Sequence, residues 1–183
     1  MTHLIYGNLW NNDLKLMIDP VSDEDARKTY EAGGEVMVAA GRVPLSGVAA
    51  NSDEDDPEDP EPAEWSLYAE LDRGYVEVQF FSFFGTREAT YGFDRQSDGL
   101  LFLTDVSEYD FAKRTMTTED DDWSTFTQYT FRPDGTSQEV VHTRTADGGE
   151  DVQTTERRGA DFAEHWEPVP EFGRWESITR RQR

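Results

Sequence analysis

Apolar residues in this chain fall in short runs that alternate with polar ones, and turn-forming residues punctuate the runs. Residues 3–9 and 13–18 read as two short strands around the turn Asn11-Asn12. Asp19-Pro20 is expected to stop the second. Ser22 then opens SDEDARKTYEAGG. It suits an N-cap, Asp25 stands three residues on in a capping-box position, and acids fill the first turn. This predicts a short helix near Asp23–Glu31, closed by Gly33-Gly34. Residues 35–40 are apolar and β-prone, and read as a strand.

From Trp65 the pattern is β-prone almost throughout. YVEVQFFSFF, EATYGFD, GLLFLTDV, FAKRTMTT, WSTFTQYTFR, TSQEVVHTR and EDVQTTER all have the length and composition of strands. Turn signals separate them: Gly85-Thr86, Ser97-Asp98-Gly99, Glu119 to Asp122, Pro133-Asp134-Gly135 and Asp147-Gly148-Gly149. Seven such runs predict an α+β, mainly β fold. Its core would be an antiparallel meander over Trp65 to Arg158, forming a curved sheet or a partly closed barrel, with one short N-terminal helix. FRPDGT echoes FDRQSDGL, which reads as a recurring hairpin turn and not as a true repeat. Phe80, Phe81, Phe83 and Phe84 put aromatics on both sides of one run, so that strand is expected to be central and covered on both faces. The hairpin from Thr136 to Arg158 is nearly all polar and is expected at an exposed edge.

Two segments break the alternation. Residues 51–64, NSDEDDPEDPEPAE, crowd eight acids with no Lys or Arg, and Pro57, Pro60 and Pro62 bar regular structure. Mutual repulsion predicts an extended, solvated loop. Residues 159–183 end in HWEPVPEFGRWESITRRQR, where Trp166, Phe172 and Trp175 are large anchors beside the chain's one basic cluster. These anchors either pack back on the sheet or serve as recognition hot spots. The expected organisation is a single domain: a mixed part (1–50), the acidic loop (51–64), the meander (65–158) and the aromatic tail (159–183).

The 183 residues carry 39 acids and 17 bases, a formal charge of -22, with 13% aromatics and no cysteine. That many aromatics argues for a packed core. The charge excludes unaided nucleic-acid binding and disfavours an anionic membrane. Without cysteine there is no disulfide, thiolate nucleophile or thiolate-bound metal. No apolar segment is long enough to span a membrane and no signal peptide is apparent, so a cytoplasmic protein is expected. Acidity with only Lys15, Lys28 and Lys113 as lysines also suits a high-salt cytoplasm, where the Debye length falls to about 3 Å at 1 M.

The sequence offers little catalytic chemistry. His3, His142 and His165 are scattered without metal-ligand spacing, and no phosphate-binding or nucleophile-elbow motif occurs. Asp120-Asp121-Asp122 reads as a solvated turn. Glu70 with Asp72, or Glu77 with Glu88, could pair across strands as acid and base, but 39 acids supply such pairs by chance. No catalytic residue, cofactor or metal ligand is expected.

In small size, acidity, α+β build, lack of cysteine or signal, and a loop such as DEDDPEDPEPAE, the chain resembles immunity proteins, the antitoxins of bacterial polymorphic and secreted toxin systems. The ending WEPVPEFGRWESITR has the same flavour. It is a resemblance of type, without a diagnostic motif. It implies a non-enzymatic inhibitor that blocks the basic active-site cleft of a toxin enzyme. The expected contacts are Asp55, Asp56 and Asp59 for steering, and Phe172 and Trp175 for grip, with Gly173 allowing close approach. The rival expectation is a ligand-binding, lipocalin-like barrel from an organism with an acidic proteome.

Overall fold

The computed structural model describes residues 4–12, 15–41, 63–113 and 121–182. The acidic loop, with Asp55, Asp56 and Asp59, therefore lies outside the described residues, as does most of FAKRTMTT. The elements in chain order are β1 Leu4–Asn11, β2 Leu16–Val21, α1 Asp23–Glu31, β3 Glu35–Ala40, β4 Trp65–Glu70, β5 Tyr75–Phe81, β6 Arg87–Arg95, β7 Leu101–Asp110, β8 Thr125–Phe131, β9 Ser137–Arg144, β10 Glu150–Arg157 and the two-residue β11 Trp166–Glu167. All strands join one antiparallel sheet in the order β10-β9-β8-β7-β6-β5-β4-β3-β1-β2. β11 pairs with the first residues of β7, alongside the stretch that β8 covers. The sheet is curved and open, with β2 and β10 at its edges. The meander is thus not confined to residues after Trp65, because β3 pairs directly with β4 across the acidic insertion.

Local chemistry explains the elements. Ser22 caps α1, its Oγ accepting the Asp25 N–H at 3.2 Å and donating to the Asp25 carboxylate at 2.7 Å. Five hairpin turns share one device: Gly74, Gly85, Gly99, Gly135 and Gly148 each adopt a left-handed φ of 70–87° and donate to the carbonyl three residues back. The echo between FRPDGT and FDRQSDGL is this shared turn.

Some strand expectations need correcting. β2 runs through Asp19-Pro20 to Val21. Proline lacks an N–H, but an edge strand does not need one on its open side. Asp19 takes up the distortion with φ +47°. β5 ends at Phe81, and Phe83 sits 77% exposed in the turn. Phe80 and Phe81 do point into separate apolar clusters on the two faces. Phe111, Ala112 and Lys113, the start of FAKRTMTT, are not strand. β10 is exposed along its length and forms an edge, as its polarity predicted.

The main core lies on one face of the sheet. There Ala26 and Tyr30 of α1 and Trp175 and Ile178 of the tail cover Val36, Val38, Leu67, Val76, Val78, Phe80 and Tyr91. The tail therefore packs back. Trp175 is 2% exposed and meets Tyr30 edge-on at 5.2 Å. Two tyrosines pin its backbone: Tyr30 Oη donates to the Pro170 carbonyl at 2.8 Å and Tyr91 Oη to that of Arg181 at 2.6 Å. A smaller cluster of Trp10, Met17, Ala39, Ala63 and Phe81 covers one end of the opposite face.

Candidate functional site

Alternation along the central strands sends every second side chain to the face opposite α1. Register aligns these residues in two rows across the sheet. One row runs Tyr68, Glu77, Gly92, Asp105, and the next runs Glu35, Glu70, Tyr75, Asp94. Tyrosines and carboxylates thus form a mixed face on β3 to β7. Tyr68 Oη donates to Glu70 at 3.0 Å, Tyr75 Oη to Glu77 at 2.9 Å, and the Gln79 amide to the other Glu77 oxygen at 2.9 Å. The two tyrosine rings lie 6.4 Å apart. Burial, reinforced by Glu70 and Glu35, pushes the Tyr68 hydroxyl up to about 12. Burial and then the charge of Glu77 raise Tyr75 as well. Both phenols therefore stay protonated as donors.

Asp105 is the most constrained acid on this face. Its carboxylate lies against Gly92 on the neighbouring central strand, where an added Cβ would come within 2.3 Å of Oδ2. A glycine inside a strand marks such a close approach. Burial raises the Asp105 pKa, Thr104 lowers it by donating to the carboxylate at 3.0 Å, and Asp94 and Glu77 raise it further. Glu35 also stands directly opposite Glu70, an unfavourable like-charge pairing. Arg73, 2.9 Å from Glu70, is the one cation ion-paired to this group among the described residues. Repulsion is thus built into a central, rigid part of the sheet.

A stability prediction follows for Asp105. A carboxyl whose folded pKa is raised costs stability above that pKa, and the cost vanishes as pH falls below the unfolded value. Asp105→Asn is expected to raise Tm by a few degrees at neutral pH. Its advantage over wild type should shrink as pH falls toward 4, the ordinary aspartate range. Thermal melts of both proteins across pH check this; an equal or lower Tm for the variant at pH 7 would contradict it.

Of the residues singled out from sequence, Asp55, Asp56 and Asp59 lie outside the described residues, whereas Phe172, Gly173 and Trp175 lie together in the tail, the two rings 5.8 Å apart. Phe172 is half-buried, stacked on Tyr6 at 4.9 Å and capped by the Arg27 guanidinium at 4.7 Å. One side of its ring borders a shallow groove with Leu71 and Arg174. Gly173 adopts φ +82° in a turn where Arg174 N donates to Glu171 O, and nothing lies within 4 Å of where its Cβ would be. Its positive φ forms that turn, and among the described residues no other part of the chain packs against it. Trp175 is covered by the core. Glu70 and Asp72, and likewise Glu77 and Glu88, do not form acid–base pairs: Glu70 is bonded to Arg73, Asp72 lies against Gly33, and Glu88 pairs with Arg181. His142 is bonded to Glu150, and His165 stacks on Phe162. Among the described residues no three His or acidic side chains are grouped to hold a metal.

The core face has a second feature. Beyond the tail, β7 to β10 leave an open trough of about 520 Å³, floored by Tyr91, Leu103, Val106, Tyr129 and Phe131. Glu108, Glu139 and Arg157 stand among its polar lining. This is an indentation on an open sheet and not the interior of a closed barrel, so the lipocalin-like architecture is corrected.

Fold and face together describe an open antiparallel meander whose face opposite α1 carries acids and tyrosines on β3 to β7. No family model, curated protein or solved structure matches the chain.

Proposed function

We propose that the chain is a non-enzymatic, acidic inhibitor that binds the basic active-site cleft of a partner enzyme, in the manner of immunity proteins. The observation that supports this best is the tyrosine–carboxylate face of β3 to β7. Glu77 and Asp105 accept hydrogen bonds from Tyr75, Gln79 and Thr104, but no cation among the described residues is ion-paired to Glu77, Asp94 or Asp105, and their charges raise one another's energy around Gly92. A partner's Arg or Lys side chains would relieve their repulsion and stack on Tyr68 and Tyr75. Aromatic side chains that stay partly exposed on a rigid sheet suit a hot spot. In this reading Asp55, Asp56 and Asp59 add long-range steering from the acidic segment that follows β3 in sequence. A cytoplasmic location belongs to the same proposal; among the described residues, no helix is long and apolar enough to cross a membrane.

The test is enzymatic. A basic protein that co-purifies with the chain from its host at moderate salt should be an enzyme that the purified chain inhibits at one-to-one stoichiometry. A co-purifying partner whose activity is unchanged would remove the inhibitor reading. Neutralising Asp55, Asp56 and Asp59 to Asn should slow association and flatten its salt dependence without moving Tm. Unchanged association kinetics would deny those residues a steering role.

The trough favours a second reading, a binder of amphipathic small molecules. Tyr129 at its floor is the useful reporter. Quenching of its neighbourhood by a ligand, abolished by Phe131→Ala, would favour this reading.

A further inference from the structure

The two sheet edges are guarded differently. β2 carries Pro20 and the left-handed Asp19, which interrupt the row of backbone donors and spoil strand addition. β10 has neither device. It is eight residues long, free of proline, and paired with β9 in unbroken register from Arg157↔Ser137 to Glu150↔Arg144. Among the described residues no strand pairs with its far side, which as a sheet edge presents a row of backbone N–H and C=O groups. The side chains are exposed, and only charge stands in the way of a further strand. The pattern of that charge names the occupant.

We propose that β10 pairs antiparallel with β10 of a second copy of this chain, centred on Thr154, to make one continuous sheet through a two-fold axis. Such an axis stands normal to the sheet and keeps like faces together, so odd-numbered residues meet odd and even meet even. Centred on Thr154, Asp151 faces Arg157 of the second copy and Arg157 faces its Asp151. Glu150 likewise meets Arg158, Gln153 meets Thr155, and Thr154 meets itself. Every charge opposes its opposite or a neutral residue. Centred on Gln153, Glu150 would meet Glu156 twice, which is repulsive. Centred on Thr155, no acid meets a base and the overlap is shorter. The strand is thus self-complementary in one register only.

The groups are available for this role. Asp151 makes no ion pair among the described residues, and Arg157 is 71% exposed, with a loose 3.7 Å contact to Glu139. Arg157 also lines the trough, so the second copy's Asp151 and Gln153 would extend its open side. The pairing is independent of the acidic face on β3 to β7, and either could fail without the other. Opposition comes from the charge of each chain, -22. At about 0.15 M ionic strength the Debye length is about 8 Å, so distant repulsion is screened while contacting pairs persist.

Charge reversal separates this pairing from unspecific association. Sedimentation equilibrium on the full chain at that ionic strength should show a concentration-dependent dimer. Asp151→Arg places Arg against Arg twice, and Arg157→Asp places Asp against Asp twice. Each should weaken dimerisation about tenfold or more. The double variant D151R/R157D should restore it. So should an equal mixture of the two single variants, which can pair only with each other. Thermal melts should show all four proteins folded, because β10 is exposed on both faces. A wild-type chain that stays monomeric at all concentrations would overturn the proposal. Single variants that dimerise like wild type would do the same, as would a mixture that fails to regain the dimer.

Discussion

Trp175→Ala is expected to destabilise the fold by about 3 kcal/mol or more, the range for deleting a large aromatic from a core. For a chain of this size that is a fall in Tm of roughly 10 °C. The indole is 2% exposed and wedged between Tyr30 and Phe172, where it holds the tail on α1 and the sheet. The loss should spread to neighbours, because Tyr30 also fixes Pro170 through its hydroxyl. Phe172→Ala should cost less, since that ring is half-buried and keeps one side in a shallow groove. A thermal melt distinguishes packing from recognition. If Trp175→Ala melts like wild type and only speeds release of a partner, the tail is a recognition element after all.

The second large effect concerns the acidic face. The triple variant E77Q/D94N/D105N removes three charges from around Gly92 while keeping side-chain shape. Association with the basic partner should slow at least about tenfold at low salt, and its ionic-strength dependence should flatten. The same variant should be more stable than wild type, because repulsion and the burial cost of Asp105 disappear together. Gains in stability that accompany loss of binding are the usual mark of a functional surface. Stopped-flow kinetics with thermal melts check both halves. A variant that binds as fast as wild type removes the face from the interface.

Much of the fold could be read from local chemistry. The cap at Ser22 and the acids after it place α1 at Asp23–Glu31, and the structure has those bounds. The Gly-containing turns mark most hairpins, and the polarity of EDVQTTER puts it at an edge. Misreadings occur where tertiary context decides. Pro20 looks like a terminator until β2 proves to be an outer strand. Phe83 and Phe84 look like strand, but the turn built on Gly85 ends β5 at Phe81, three residues early. Trp175 reads from sequence either as core or as recognition anchor, because only packing shows that α1 and the sheet enclose it. The acidic face was legible only in part. Tyr75 and Glu77 alternate visibly with Val76 and Val78, so their shared face follows from period two. That Glu77 meets Gly92, and Gly92 meets Asp105, depends on register across three strands and on the irregularity at Gly92/Phe93. No local signal carries that register. Gly92, alone inside TYGFD and away from any turn, was the one clue to a close approach.

The most direct test of the account is a carboxylate footprint. The chain, free and saturated with its basic partner, would be labelled with a water-soluble carbodiimide and a small amine, and the acids read by mass spectrometry. Shielding of Glu35, Glu77 and Asp94 in the complex, with Asp98 and Asp161 labelled as in the free chain, is the predicted result. A complex in which Glu35, Glu77 and Asp94 label as freely as before, while acids elsewhere are protected, would contradict it.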